Sequence, residues 1–423
     1  MNKRPKILEG HLNTLLLLVA LVMILMTLIL ATQPLFLRQV LALGRENAGF
    51  VNANIQVATE VIEMVLVGYL GYLSDRFGRI PIMRYGFLLA AAMALIIPFC
   101  GEVAVVFGVD ALAVYYLSRV LMSLGTTAVW PQLSTMTGDY STPGNRTRIL
   151  ARAGFMTAFG ATLVYAVLVQ LTQHVGVRAI MLLAALVALA GAWLVRDFLV
   201  ENAQLLETGR FPLDRLLTLL KRERALRLSF LAAFASRNDM VVIGLFLMTW
   251  FIYFSDLLPD VSSEAAAGQA GFVIGFIGVV VLISIPVWGA ITERQGPIRA
   301  LIIGLMLSGV GFLGFGFIVN PLSWWSLLPA LLVGLGQAGC ILAPQILVMD
   351  HAEAEISGSV MGAFNTAGCI GIVFFLQVGG ILFDWIGPTA PFLFTGLANL
   401  AIMVYGLLGG WYAPQTTSNN LPT

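Results

Sequence analysis

Charge is scarce in this 423-residue chain: Lys, Arg, Asp and Glu together make up 11% of it, against 59% apolar residues. Soluble domains carry about 25% charged residues, and no single water-soluble core takes in so much apolar surface. An ordinary soluble domain is excluded, and a chain crossing a membrane many times is the simple alternative. Cysteine and histidine are scarcer still, at three each. Cys100, Cys340 and Cys369 all fall at or inside apolar segments, where a thiol packs as a small apolar group, and no pair has metal-ligand spacing. A net charge of +1 and the lack of a long basic run leave nothing for nucleic acid to grip. No nucleophile–base pair, phosphate-cradling loop or ATP-binding motif is present, so neither an enzyme nor a primary pump is expected, and no cofactor.

What is there is a series of apolar stretches of about 20 residues, each long enough to span a bilayer as a helix. Twelve are predicted, at 14–36, 51–73, 81–100, 110–134, 150–171, 177–196, 227–254, 269–291, 297–318, 323–348, 358–382 and 389–411. The run from Thr14 to Leu30 follows Lys3, Arg4 and Lys6, as in a signal peptide. It is too long for one and no small-residue cleavage site follows, so it is read as a retained first span. With the N-terminus cytoplasmic, 18 of the 23 basic residues fall on the cytoplasmic side, three fall outside (Arg38, Arg45 and Arg178) and Arg119 and Arg237 fall within spans. That asymmetry sets the orientation, with both termini in the cytoplasm.

The sequence also repeats itself. Gly71-x-x-x-Asp75-Arg76-x-Gly78 follows the second span, and Gly289-x-x-x-Glu293-Arg294-x-Gly296 follows the eighth, 218 residues later. Two six-helix bundles of the same topology, related by an axis along the membrane normal, are the expected architecture of this all-α integral membrane protein. The division is 1–196 for the first bundle, 197–226 for a cytoplasmic linker, 227–412 for the second bundle and 413–423 for a disordered cytoplasmic tail. In the linker, Phe211, Leu213, Leu216, Leu217, Leu219 and Leu220 alternate with Asp214, Arg215, Lys221 and Arg222. The pattern fits an amphipathic helix on the membrane surface, with a plain solvated linker as the alternative.

With these residues in place the chain resembles a member of the major facilitator superfamily. Its best-known signature, Gly-x-Leu-x-Asp-Arg-x-Gly-Arg between spans two and three, is matched by Gly71, Leu73, Asp75, Arg76, Gly78 and Arg79. The degenerate second copy fits too, as do Arg119, Gly125 and Pro131 in span four and Asp139, Pro143 and Arg146 after it. The drug/proton antiporter branch usually carries Gly-Pro followed by Gly-Gly in span five. Here that stretch reads Phe159-Gly160-Ala161-Thr162-Leu163, so the similarity to that branch is loose. The resemblance implies that Asp75 latches against the start of span eleven and that Glu293 does the mirror job at span five. A carboxylate at a helix N-terminus is favoured there by the free N–H groups. It also implies that Arg119 takes part in proton coupling and that span seven lines a central cavity.

Ionisable groups at membrane depth are costly, so each is a site candidate. Glu60 and Glu63 lie in span two, one turn apart on one face, roughly 22 and 18 Å from the charged loop at 1.5 Å per residue. Two adjacent carboxylates repel, an arrangement suited to carrying a proton or to holding a cation by releasing one. Arg119, at similar depth, is the expected counter-charge, and the three together are the expected coupling site; lining of an outer vestibule is the alternative. In span seven, Arg237 and Asp239 point to different faces, one toward substrate or water and one toward a neighbouring helix. Asp239 joins the coupling set. Gln33, Arg237, Trp250, Tyr253, Gln337 and Gln345 are the cavity candidates, Gln337 standing 218 residues after Arg119. Asp350, His351, Glu353 and Glu355 are read as acidic helix-capping residues, not a metal site.

The expected function is secondary active transport of a small molecule by alternating access, coupled to protons. The protein is expected to be a monomer in the lipid bilayer of a bacterial inner membrane or a membrane derived from it. Two alternatives stand beside it: a divalent-metal carrier, for an iron-like ion, using Glu60, Glu63 and Asp239 as hard oxygen ligands, and a non-transporting scaffold or receptor on the same fold.

Overall fold

The computed structural model describes residues 9–141, 145–201, 213–351 and 357–409. Among these are twelve helices long and apolar enough to cross a membrane and no β-strand. Spans one to six are Glu9–Gln39, Arg45–Ser74, Arg79–Phe107, Ala111–Asp139, Arg148–Leu168 and Val177–Phe198. Spans seven to twelve are Arg224–Ser255, Ser263–Gln295, Pro297–Phe315, Trp324–His351, Val360–Trp385 and Ala390–Leu408. Most run past the apolar windows because the i→i−4 bonds of a helix continue into polar residues. Span three passes Cys100 by way of a 3-10 turn at Ile97–Phe99, which accommodates Pro98.

Spans one to six pack among themselves, as do spans seven to twelve. Lipid offers no hydrophobic drive for helix association, so close backbone approach does the work. Spans three and four meet at Gly86 and Gly125, where a Cβ on either glycine would lie 2.6 Å from the other's carbonyl oxygen.

The repeated loops have the same backbone. Gly78 sits at φ 92°, ψ 152° with its N–H donating to Ser74 O at 2.9 Å. Gly296 sits at φ 85°, ψ 155° with its N–H donating to Thr292 O at 3.0 Å. Each glycine ends one span and starts the next at a positive φ that a Cβ disfavours.

Span seven is irregular in its hydrogen bonding: the backbone stays helical through Arg237 and Asn238, and a π-helical stretch follows at Ile243–Leu247. Between spans six and seven, Leu213–Arg222 is a helix whose Leu219 packs with Leu226, Val348, Val360 and Phe364 of the second half. Residues 202–212 of the linker, Pro143, Glu353, Glu355 and the tail 413–423 lie outside the described residues.

The halves meet through spans two and eleven, five and eight, and one and seven. Their polar contacts gather at the face opposite the charged loops. Asp384 of span eleven accepts from the N–H of Gly49 and of Phe50, both at 2.8 Å, at the start of span two. Arg38 of span one pairs with Asp256 at 2.9 Å, Tyr253 donates to Leu43 O at 3.0 Å, and Gln170 donates to Gly268 O. Near the charged loops, Gly68, Gly71, Gly289 and Gly362 have no atom within 4 Å of where a Cβ would stand.

Candidate functional site

The intramembrane charges converge where spans two, four, seven and eleven come together. Gln56, one turn before Glu60, links two of them. Its Nε2 donates to Glu60 Oε1 at 2.9 Å, and its Oε1 accepts from Arg119 Nη2 at 3.0 Å. Arg119 is buried at 6% exposure, so this amide is a structural requirement for the cation as well as a link. Glu60 interacts electrostatically with Arg119 and Arg237, and Glu63 with Glu60 and Arg237. Arg237 reaches this position from the face of span seven that looks out of the second bundle. It is exposed, its Nη1 donates to Asn365 Oδ1 of span eleven at 2.7 Å, and its aliphatic stem lies against Gly368. Cys369, half-buried on the next position, faces the same charges.

Asp239 goes the other way. It is fully buried inside the second bundle, accepting from Ser308 Oγ of span nine at 2.8 Å and from Asn399 Nδ2 of span twelve at 3.3–3.4 Å. Glu60, Glu63, Arg119 and Arg237 are thus brought together, and Asp239 stands apart from them.

The other cavity candidates scatter. Gln33 is buried and donates to Asn52 O and Oδ1 at 3.0 and 3.1 Å, tying span one to span two. Trp250 and Tyr253 line a separate cavity of about 230 Å³ near the closed face, with Arg45, Phe254, Ile318 and Phe383 among its walls. Gln337 is buried in span ten, and Gln345 is half-buried one loopward stretch on. Among the described residues, no three or more of His, Cys, Asp and Glu group closely enough to hold a metal ion.

At the charged loop, Arg79 is buried and paired with Asp139, while its N–H and that of Ile80 donate to Glu201 Oε2 at 2.7 and 3.1 Å. Arg76 lies over the Phe77 ring at 5.4 Å, Leu73 is half-buried, and Glu293 and Arg294 are exposed. The side chain of Asp75 lies outside what the structure describes.

Reading single residues by type missed Gln56, Asn365 and Glu201, and placed Asp139 without its partner Arg79. Gln56 and Asn365 left a signal, since each is a polar residue inside an apolar span.

The family model for the Major Facilitator Superfamily matches residues 15–376 and 244–423. The chain belongs to the Major Facilitator Superfamily. It is 53% identical over 395 residues to the magnetosome protein MamH of Paramagnetospirillum magneticum, covering 93% of this chain and 91% of MamH. It is 37% identical over 380 residues to the magnetosome protein MamZ of Magnetospirillum gryphiswaldense, covering 89% of this chain and 58% of MamZ. The crystal structure of a mutant of the nucleoside transporter NupG superposes with a TM-score of 0.75 at 12% identity, covering 94% of this chain and 99% of that one. That likeness is one of fold. Membership makes this chain an integral membrane protein of a transporter family, acting on a small molecule.

Proposed function

We propose that the protein is a proton-coupled secondary transporter that moves a small molecule by alternating access, working as a monomer in a magnetosome-associated membrane derived from the bacterial inner membrane. The magnetosome proteins among its relatives support the location. The observation that carries the mechanism is the chain Glu60–Gln56–Arg119 beside Arg237 and Glu63. Ionised, Glu60 accepts from the Gln56 amide while that amide's oxygen accepts from Arg119. A proton arriving on Glu60 removes the negative charge that strengthens its bond with the Gln56 amide and that faces Arg119. The link from span two to span four weakens.

With the halves joined at the face opposite the charged loops, the cluster is served from the loop face. Asp75 and Glu293 are the residues that this reading assigns to closing that face, with Gly71, Gly78, Gly289 and Gly296 shaping their loops.

Transport assays in proteoliposomes under an imposed pH gradient test it. Glu63→Gln should abolish the dependence on the gradient, and Asp75→Asn should cripple transport while the protein still inserts. Wild-type gradient dependence in Glu63→Gln and Glu60→Gln removes the coupling assignment; wild-type rates in Asp75→Asn remove the latch.

A further inference from the structure

We propose that Asp239, Ser308 and Asn399 form a binding site for one sodium ion inside the second bundle. The inference deepens the transporter reading by adding a second ion, and binding itself stands without that reading.

Span seven supplies the carboxylate. Arg237 and Asp239 stand two positions apart on a backbone that stays helical through Arg237 and Asn238, so the arginine faces the cavity and the carboxylate faces into the bundle. Asp239, Ser308 and Asn399 are each 0% exposed.

The oxygens are placed for it. Asn399 Nδ2 lies 3.4 and 3.3 Å from Oδ1 and Oδ2 of Asp239 and 3.3 Å from Ser308 Oγ, long for hydrogen bonds. Its Oδ1 has no partner, and neither has the buried Oδ1 of Asn238 next in the chain. A half-turn of the Asn399 amide exchanges its two ends, putting the orphaned oxygen against the carboxylate and the hydroxyl. Ser308 Oγ stands 2.8 Å from Asp239 Oδ2, and the turned Asn399 oxygen, taking the place of Nδ2, stands about 3.3 Å from both, a triangle that one cation about 2.4 Å from each oxygen can cap.

Charge selects the ion. The Asp239 carboxylate has only neutral partners, Ser308 and Asn399, and the Cys340 thiol of span ten is the ionisable group facing it. Arg237 is engaged with Asn365. An uncompensated charge at this depth is expensive, and one monovalent cation cancels it, whereas a divalent ion leaves a positive excess. A set of oxygens favours a hard cation over a soft one.

Thermal unfolding of the purified full-length protein in detergent, with sodium, potassium or choline chloride at constant ionic strength, tests the site. Sodium alone should raise the melting temperature. At 100 times its half-saturating concentration it should favour the folded state about 100-fold. Ser308→Ala and Asn399→Ala should each weaken the response at least tenfold, and Asp239→Asn should abolish it, while Glu60→Gln leaves it intact. Equal melting in the three salts, or a sodium response unchanged in both Ser308→Ala and Asn399→Ala, overturns the proposal whether or not Asp239→Asn folds. A carboxylate neutralised by a proton instead would appear as equal melting in all salts.

Discussion

Arg38 Nη2 lies 2.9 Å from both carboxylate oxygens of Asp256, and the two residues stand 218 positions apart, the offset of the two charged loops. Equivalent positions of the two halves therefore touch across the axis that relates them. Both side chains are 32% exposed, so the pair is worth at most about 1 kcal/mol. Its place at the joined face makes it a bias between states more than a fold determinant. Asp256→Asn should leave the melting temperature nearly unchanged and shift the population away from the loop-open state by up to about fivefold. Cys369 is the natural reporter, being half-buried where the other two cysteines are buried. Its maleimide labelling should slow in the variant.

The loop glycines should divide into two kinds. Gly78→Val and Gly296→Val force a β-branched residue to φ 92° and 85°, and each should cost about 1–3 kcal/mol. Gly71→Ala and Gly289→Ala meet nothing within 4 Å and should stay within about 0.5 kcal/mol of the parent. Denaturation in detergent measures all four.

Gln56 is expected to matter twice. Gln56→Leu leaves the buried Arg119 guanidinium without its acceptor and should destabilise the protein by about 1–3 kcal/mol. Gln56→Glu restores an acceptor for Arg119 while setting a third carboxylate beside Glu60 and Glu63. Stability should largely return, and gradient-driven transport should not.

Gly368→Ala places a methyl group against the stem of Arg237. A flexible side chain can move aside, so melting should change by less than about 1 kcal/mol. The Arg237–Asn365 bond should be lost, and transport should fall well below the parent rate in the proteoliposome assay.

The twelve spans and the repeat were legible because apolar length and glycine spacing are local properties of the chain. Gly78 and Gly296 show this best, their spacing in sequence matching their shared backbone geometry. The site was legible only in part. Glu60, Glu63, Arg119 and Arg237 stand out as charges in apolar helices, but what each one meets depends on neighbours far off in sequence. Arg79 is paired with Asp139 across 60 positions, and Asp239 reaches Asn399 across 160. The opposite directions of Arg237 and Asp239 were legible from their two-residue spacing; which partners each one meets, Asn365 for the first and Ser308 and Asn399 for the second, was not. A carboxylate at a helix N-terminus was expected from Asp75, whose side chain lies outside the described residues; the structure has the arrangement in Glu201 on the start of span three at the loop face and in Asp384 on the start of span two at the other.

At that face Asp384 bonds to the peptide N–H groups of Gly49 and Phe50, Tyr253 to the peptide oxygen of Leu43, and Gln170 to that of Gly268. In each bond only one partner is a side chain. Peptide groups survive nearly every substitution, so Leu43 and Phe50 are free to drift through evolution while their bonds persist. Asp384, Tyr253 and Gln170 have no such freedom. Divergence between related chains should therefore be uneven residue by residue along this seam, heavy at Leu43 and Phe50 and light at Asp384, Tyr253 and Gln170, with Gly49 and Gly268 held by the side chains a Cβ would strike.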